Sequence, residues 1–142
     1  MSNGPRSVAL PVVAVFDSSP ETADMLRMLL EHAGLTVVSA FTYDIHNGRV
    51  DLAAFMREHR PAAIIYDIAP PYDRNWQLLE HLRATAALKE CDFVLTSTNA
   101  AYVQKLAGTD DRIYEVIGKP YDLHRIIEAT NDAVHKRRRP PG

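Results

Sequence analysis

The residues with most chemistry to offer are two aspartates, a threonine and a lysine. Each closes a short apolar run, in the quartet Val15-Phe16-Asp17-Ser18, Ile65-Tyr66-Asp67, Leu95-Thr96-Ser97 and Gly118-Lys119-Pro120. In an open parallel sheet, ligands bind at the carboxyl ends of the strands, near the point where strand order reverses. If these runs are parallel strands, two carboxylates, a hydroxyl and an ammonium group meet on one rim, as a ligand site would require. Taken singly, each residue has a purely structural explanation. An Asp after a strand often caps the next helix, Thr96 is a good strand former, and a lone surface lysine usually has no special role. Their coincidence at strand ends favours a shared site.

A shared rim requires a parallel sheet, and the rest of the chain carries the pattern for one. Apolar runs at 11–16, 36–40, 62–67, 92–96 and 113–117 alternate with amphipathic stretches, the signature of βαβ units. None of the runs shows clean polar alternation, as expected when helices cover both faces of a sheet. Between them, Leu26, Leu29, Leu30 and Ala33 share a helical face that Gly34 is placed to end. The stretch 51–59 carries Leu52, Phe55 and Met56 at helical spacing, and 75–87 turns Leu78, Leu79 and Leu82 inward. A short helix is expected over 100–106, and a last one from Asp122 with Leu123, Ile126, Ile127 and Val134 on one stripe. The basic ending at 136–142 reads as a solvated helix end stopped by Pro140, in preference to a nucleic-acid contact or a linker.

Composition narrows the function classes. With 142 residues, 46% hydrophobic and 24% charged, the chain matches one globular domain and can bury roughly two-thirds of its unfolded surface. Sixteen basic against eighteen acidic residues give no reason to expect a nucleic-acid partner. Cys91 is the single cysteine and cannot form an internal bridge, which fits a reducing cytoplasm. The longest apolar stretch, 8–16, contains Pro11 and falls far short of the roughly 20 residues of a membrane helix. The start of the chain also lacks the features of a signal peptide. No G-x-G-x-x-G follows a strand, and Gly118-Lys119 lacks the upstream glycine and the hydroxyl residue of a P-loop. The histidines show no H-x-x-x-H spacing for zinc, and no G-x-S-x-G surrounds Ser18, Ser19, Ser39 or Ser97.

Over nearly its whole length the chain resembles the receiver domain of two-component response regulators. The resemblance is carried by Val12-Val-Ala-Val-Phe-Asp17-Ser-Ser-Pro-Glu21, the helix ending at Gly34, Ile64-Ile-Tyr-Asp67-Ile-Ala-Pro-Pro71, Val94-Leu-Thr96-Ser97 and Gly118-Lys119-Pro120-Tyr121. It implies a single-domain flavodoxin-like (βα)5 doubly wound parallel sheet of strand order 2-1-3-4-5, occupying 11–135 between an extension at 1–10 and a basic tail or linker at 136–142. It implies that Asp67 accepts a phosphoryl group from a histidine kinase or histidine phosphotransfer protein. Thr96 and Lys119 would contact the phosphoryl oxygens, and the Lys119-Pro120 bond would be cis. Weakly bound Mg²⁺ would be held by Asp17, Asp67 and the main-chain carbonyl of Ala69. Such a protein is a cytoplasmic phosphoacceptor and not an enzyme with an external substrate, and a homodimer is a further association open to it.

Three departures leave an alternative standing. Ser18 occupies the place where the family usually carries a second metal-binding acid. It also starts Ser18-x-x-Glu21, a capping-box pattern, while Ser19-Pro20 could equally be N-cap and N1, so capping is the expected role. Val116 stands where the family places a switch aromatic, with Tyr114 expected on the same face two residues earlier. The stretch 41–50 is longer than the usual connection, and its Tyr43, His46 and Asn47 could form a partner surface or a polar loop. A phosphorylation-independent pseudo-receiver, acting as a protein-interaction module, is the alternative these departures support.

Overall fold

The computed structural model describes residues 11–110, 112–119 and 123–138. Five strands, β1 (Val12–Asp17), β2 (Thr36–Phe41), β3 (Ala63–Ile68), β4 (Asp92–Ser97) and β5 (Ile113–Gly118), alternate with helices. The helices are α1 (Pro20–His32), α2 (Thr42–His46), α3 (Leu52–His59), α4 (Tyr72–Arg83), α5 (Ala100–Ala107) and α6 (Leu123–Arg138). All strand pairs are parallel and the order is β2-β1-β3-β4-β5, the doubly wound flavodoxin-like arrangement.

The two-residue period of each strand divides its side chains between two cores. Ala14, Phe16, Ile64, Tyr66, Ile68, Phe93 and Leu95 pack on one face with Ile45, Met56, Leu79 and Val103. Val13, Val15, Ile65, Val94 and Ile117 pack on the other with Leu26 and Leu30 of α1 and Ile126 and Val134 of α6. Both faces are thus dry, which explains why the strands read as continuous apolar runs.

Several boundaries differ from the sequence expectation. α4 starts at Tyr72 because Pro71, extended at φ −73 and ψ 124, serves as its N-cap. It stops at Arg83, four residues short of the expected end, where Thr85 turns its hydroxyl onto the Leu82 carbonyl and Leu88 N–H reaches Thr85. Ala33 is exposed as the cap of α1 and not part of its inner stripe, and Gly34 follows at φ +95 in the left-handed region that suits glycine. α2 has no counterpart in the sequence reading, since five residues with one buried anchor, Ile45, set no helical period. The expected helix start at Asp122, the Lys119-Pro120 bond, the stop at Pro140 and the extension at 1–10 lie outside the described residues. The boundary expected after 135 falls within α6, which runs to Arg138.

Candidate functional site at the carboxyl rim

Strand register assembles the site. β1 and β3 pair up to Phe16 with Tyr66, so Asp17 and Asp67 are the next residues on neighbouring strands. Asp67 is paired with Thr96, and Thr96 with Ile117, two residues before Lys119. The four residues expected to converge are therefore brought to one rim by three contiguous ladders.

Asp67 is the centre of the cluster, with its side chain only 3% exposed. Thr96 Oγ1 donates to its Oδ1 at 2.9 Å, and Lys119 Nζ lies 3.0 Å from the same oxygen. Ser18 Oγ donates to the other oxygen, Oδ2, at 3.2 Å. The Lys119 backbone N–H donates to the Ser97 carbonyl at 2.9 Å, which anchors the lysine beside the end of β4.

Asp17 is fully buried, and only one of its oxygens is satisfied. The Ser19 N–H donates to Oδ1 at 2.9 Å, while Oδ2 has no hydrogen-bond partner among the described residues. Burial raises its pKa and the nearby charge of Asp67 adds to the rise; the Ser19 N–H and Lys119 oppose it. A buried, half-satisfied carboxylate beside a second one fits a divalent cation. Among the described residues no group of three or more His, Cys, Asp or Glu side chains gathers, so the protein would offer two carboxylates and a carbonyl. Mg²⁺ tolerates so small a set because it keeps several waters. The carbonyl of Ala69, the third expected ligand, accepts a 2.6 Å hydrogen bond from Asn75 Nδ2.

The expectation that Ser18 caps α1 is corrected. Ser19 is the N-cap, its hydroxyl accepting from Thr22 N–H at 3.3 Å with Pro20 at the first helical position. Ser18, one residue earlier, is left to face Asp67.

α2 gives the site a second wall. A cleft of about 530 Å³ is lined by Ser18, Asp67, Ala69 and Asn75 together with Tyr43 and His46. Tyr66 OH and His46 Nε2 are 2.8 Å apart. Burial lowers the His46 pKa and raises that of Tyr66, so both are neutral at pH 7. Tyr43, His46 and Asn47 therefore border the cleft at Asp67, a placement with no signal in a polar stretch of sequence.

Val116 is buried with Leu95, its partner across the ladder, and Tyr114's side chain lies outside the described residues. Register shifts between Phe93 and Val94, so Ile113 and Val116, three residues apart, enter one core. Aromatic groups instead join the starts of α4 and α5. Tyr72 OH lies 2.6 Å from Thr98 Oγ1, the Tyr72 and Tyr102 rings meet edge to face at 6.2 Å, and Tyr102 OH donates to Asp73. Ser97 Oγ adds a bond to the Ile68 carbonyl at 2.9 Å.

Neither a protein-family model nor a curated protein matches the sequence. Solved structures do. A sensor protein from Polaromonas sp. JS666 superposes with a TM-score of 0.71 at 20% identity, covering 94% of this chain and 99% of that one. A response regulator receiver protein from Pseudomonas putida gives 0.69 at 19% identity over 89% and 99%. A chemotaxis protein of Vibrio cholerae gives 0.67 at 21% identity over 88% and 99%. The chain has the fold of response regulator receiver domains. No helix among the described residues is long and apolar enough to cross a membrane.

Proposed function

We propose that this receiver-fold chain works in two-component signal transduction, with Asp67 accepting a phosphoryl group from a histidine kinase or histidine phosphotransfer protein. The observation that carries the reading is the buried Asp67 carboxylate with Thr96 at 2.9 Å and Lys119 at 3.0 Å on one oxygen. In the transfer, an Asp67 oxygen forms a bond to phosphorus as the P–N bond to the donor imidazole breaks, its electron pair returning to the ring nitrogen. Phosphoryl transfer depends on positioning and on neutralising the equatorial oxygens. Lys119 supplies a fixed positive charge for them and Thr96 a hydrogen bond. Mg²⁺ bound by Asp17, Asp67 and the Ala69 carbonyl would add positive charge at the same oxygens. The chain is on this reading a phosphoacceptor and not an enzyme with an external substrate. It acts in the cytoplasm, with neither nucleic acid nor membrane as partner, and phosphorylation controls binding to a partner or to a second copy. The module is taken as 11–135, with 1–10 an extension and 136–142 a basic tail whose first residues continue α6 to Arg138.

One observation favours the pseudo-receiver reading: Ser18 already holds Asp67 Oδ2, so both acceptor oxygens are satisfied without metal. A single experiment separates the two. Incubation with Mg²⁺ and acetyl phosphate should add one acid-stable, base-labile phosphoryl group by intact-mass spectrometry, and Asp67→Asn should abolish it. An unlabelled parent chain, tested also with a phosphorylated phosphotransfer domain, would leave the interaction module as the function.

A further inference from the structure

The loop from β3 to α4 reaches the acceptor site through two consecutive prolines, Pro70 and Pro71, so neither can donate a backbone hydrogen bond to fix it. Pro71 also provides no side-chain cap for α4, which leaves the helix start without the usual anchor. The side chain of Asn75, in the first turn of α4, reaches back across both prolines to the Ala69 carbonyl at 2.6 Å. Asn75 and Ala69 line the same cleft as Ser18 and Asp67.

We propose that Asn75 is a positioning residue for the acceptor site, its amide fixing the Ala69 carbonyl so that this oxygen is ready to take a divalent cation beside Asp67. The inference rests on the receiver reading above. A carbonyl oxygen has two lone pairs, so accepting from Asn75 leaves one for the cation. An amide suits the task better than a carboxylate, because its N–H donates to the carbonyl whereas a carboxylate would repel it. Holding the carbonyl in place before binding lowers the ordering cost of each ligation event. This matters more where Ser18 replaces an acid and the remaining ligands are few. Outer partners of metal ligands typically contribute roughly 10-fold or more to affinity.

The test is a calorimetric titration of the full chain with Mn²⁺ and with Mg²⁺, comparing the parent with Asn75→Ala, Asn75→Asp and Asp17→Asn, alongside thermal melts in chelator. Asn75→Ala should weaken metal binding roughly 10-fold, while its metal-free melt changes little. The nearly isosteric Asn75→Asp should also lose affinity, despite adding an anion, because it cannot donate to Ala69. Tighter binding in Asn75→Asp, or unchanged binding in Asn75→Ala while Asp17→Asn loses it, would overturn the role of Asn75 and leave the receiver reading intact. A metal-free melt lowered in proportion to the lost affinity would also overturn it, assigning Asn75 to loop folding alone. Should Asp17→Asn bind as the parent does, the cation site itself is misassigned and this proposal falls with it.

Discussion

At the scale of single residues, the carboxylate pair would make opposite demands with and without the proposed cation. Asp17 has a raised pKa, first from burial and then from Asp67. A carboxyl that holds its proton more tightly when folded stabilises the fold below its unfolded pKa, and that contribution is lost as pH rises through the folded value. Asp17→Asn stays neutral, so in chelator at pH 7 it should melt higher than the parent. A gain of about 1 kcal/mol would appear as roughly 4 °C in a chain of this length. The two melts should converge as pH falls toward the ordinary carboxylate range; a variant that melts lower at pH 7 would contradict this. Ser18 carries the complementary prediction. A unit charge ~4 Å from another interacts by about 4 kcal/mol at an effective dielectric near 20, before desolvation offsets much of it. Ser18→Asp should therefore tighten Mg²⁺ roughly tenfold and lower the metal-free melting temperature, since a third acid joins Asp17 and Asp67. Unchanged affinity on titration would mean that position 18 does not reach the cation.

At the scale of elements, the proposed phosphorylation of Asp67 would have to be reported by contacts that differ between two states. Val116 has no ring to swing and is already buried against the core of α4 and α5. The end of β4 and the start of α5 are joined to the end of β3 and the start of α4 through Ser97 to Ile68, Tyr72 to Thr98 and Tyr102 to Asp73. Differential contacts between two states are what shift a population, and these are the groups that can differ. Thr96→Ala should weaken phosphorylation-dependent association at least several-fold, about 1 kcal/mol for one lost hydrogen bond, while Val116→Ala leaves it nearly unchanged. Sedimentation of both variants with and without a phosphoryl mimic reads the difference. The reverse ranking would return the switch to β5.

For the whole molecule, polar tension and stabilising contacts lie at opposite ends of the sheet. The carboxyl rim holds the half-satisfied Asp17, whereas the amino end is closed by Arg83, which ends α4. Arg83 pairs with Asp110 at 2.5 Å and with Glu80 at 2.6 Å, and lies over the Phe93 ring at 5.7 Å. Burial alone would raise the Asp110 pKa, but hydrogen bonds from Arg83 and the Arg112 N–H, with both guanidinium charges, bring it below its usual value. A depressed carboxylate contributes stability above its unfolded pKa, and this is lost as pH falls through the folded pKa. Asp110→Asn should thus cost about 1 kcal/mol at pH 7 after allowing for partial exposure. Denaturant titrations at pH 7 and in acid should show the cost shrinking in acid, opposite in sign to Asp17→Asn.

Much of this was legible in the residues alone. Five apolar runs bounded by helical periodicity led to the parallel sheet, because a strand covered on both faces has no polar side to display. Asp17, Asp67, Thr96 and Lys119 were found by their position at strand ends, since that position depends only on where each apolar run stops. Side-chain direction and chain packing were not legible. Ser18 and Ser19 carry the same hydroxyl, and only the backbone turn after β1 decides that Ser19 caps α1 while Ser18 faces Asp67. Asn75 reads as an ordinary helix-start residue until the proline loop folds its amide onto Ala69. α2 leaves no periodic trace, and the register shift between β4 and β5 brings Ile113 and Val116, three residues apart, into one core. Local pattern determined the elements and their order; contacts between residues distant in sequence, set by register and loop path, decided which side chains meet at the rim.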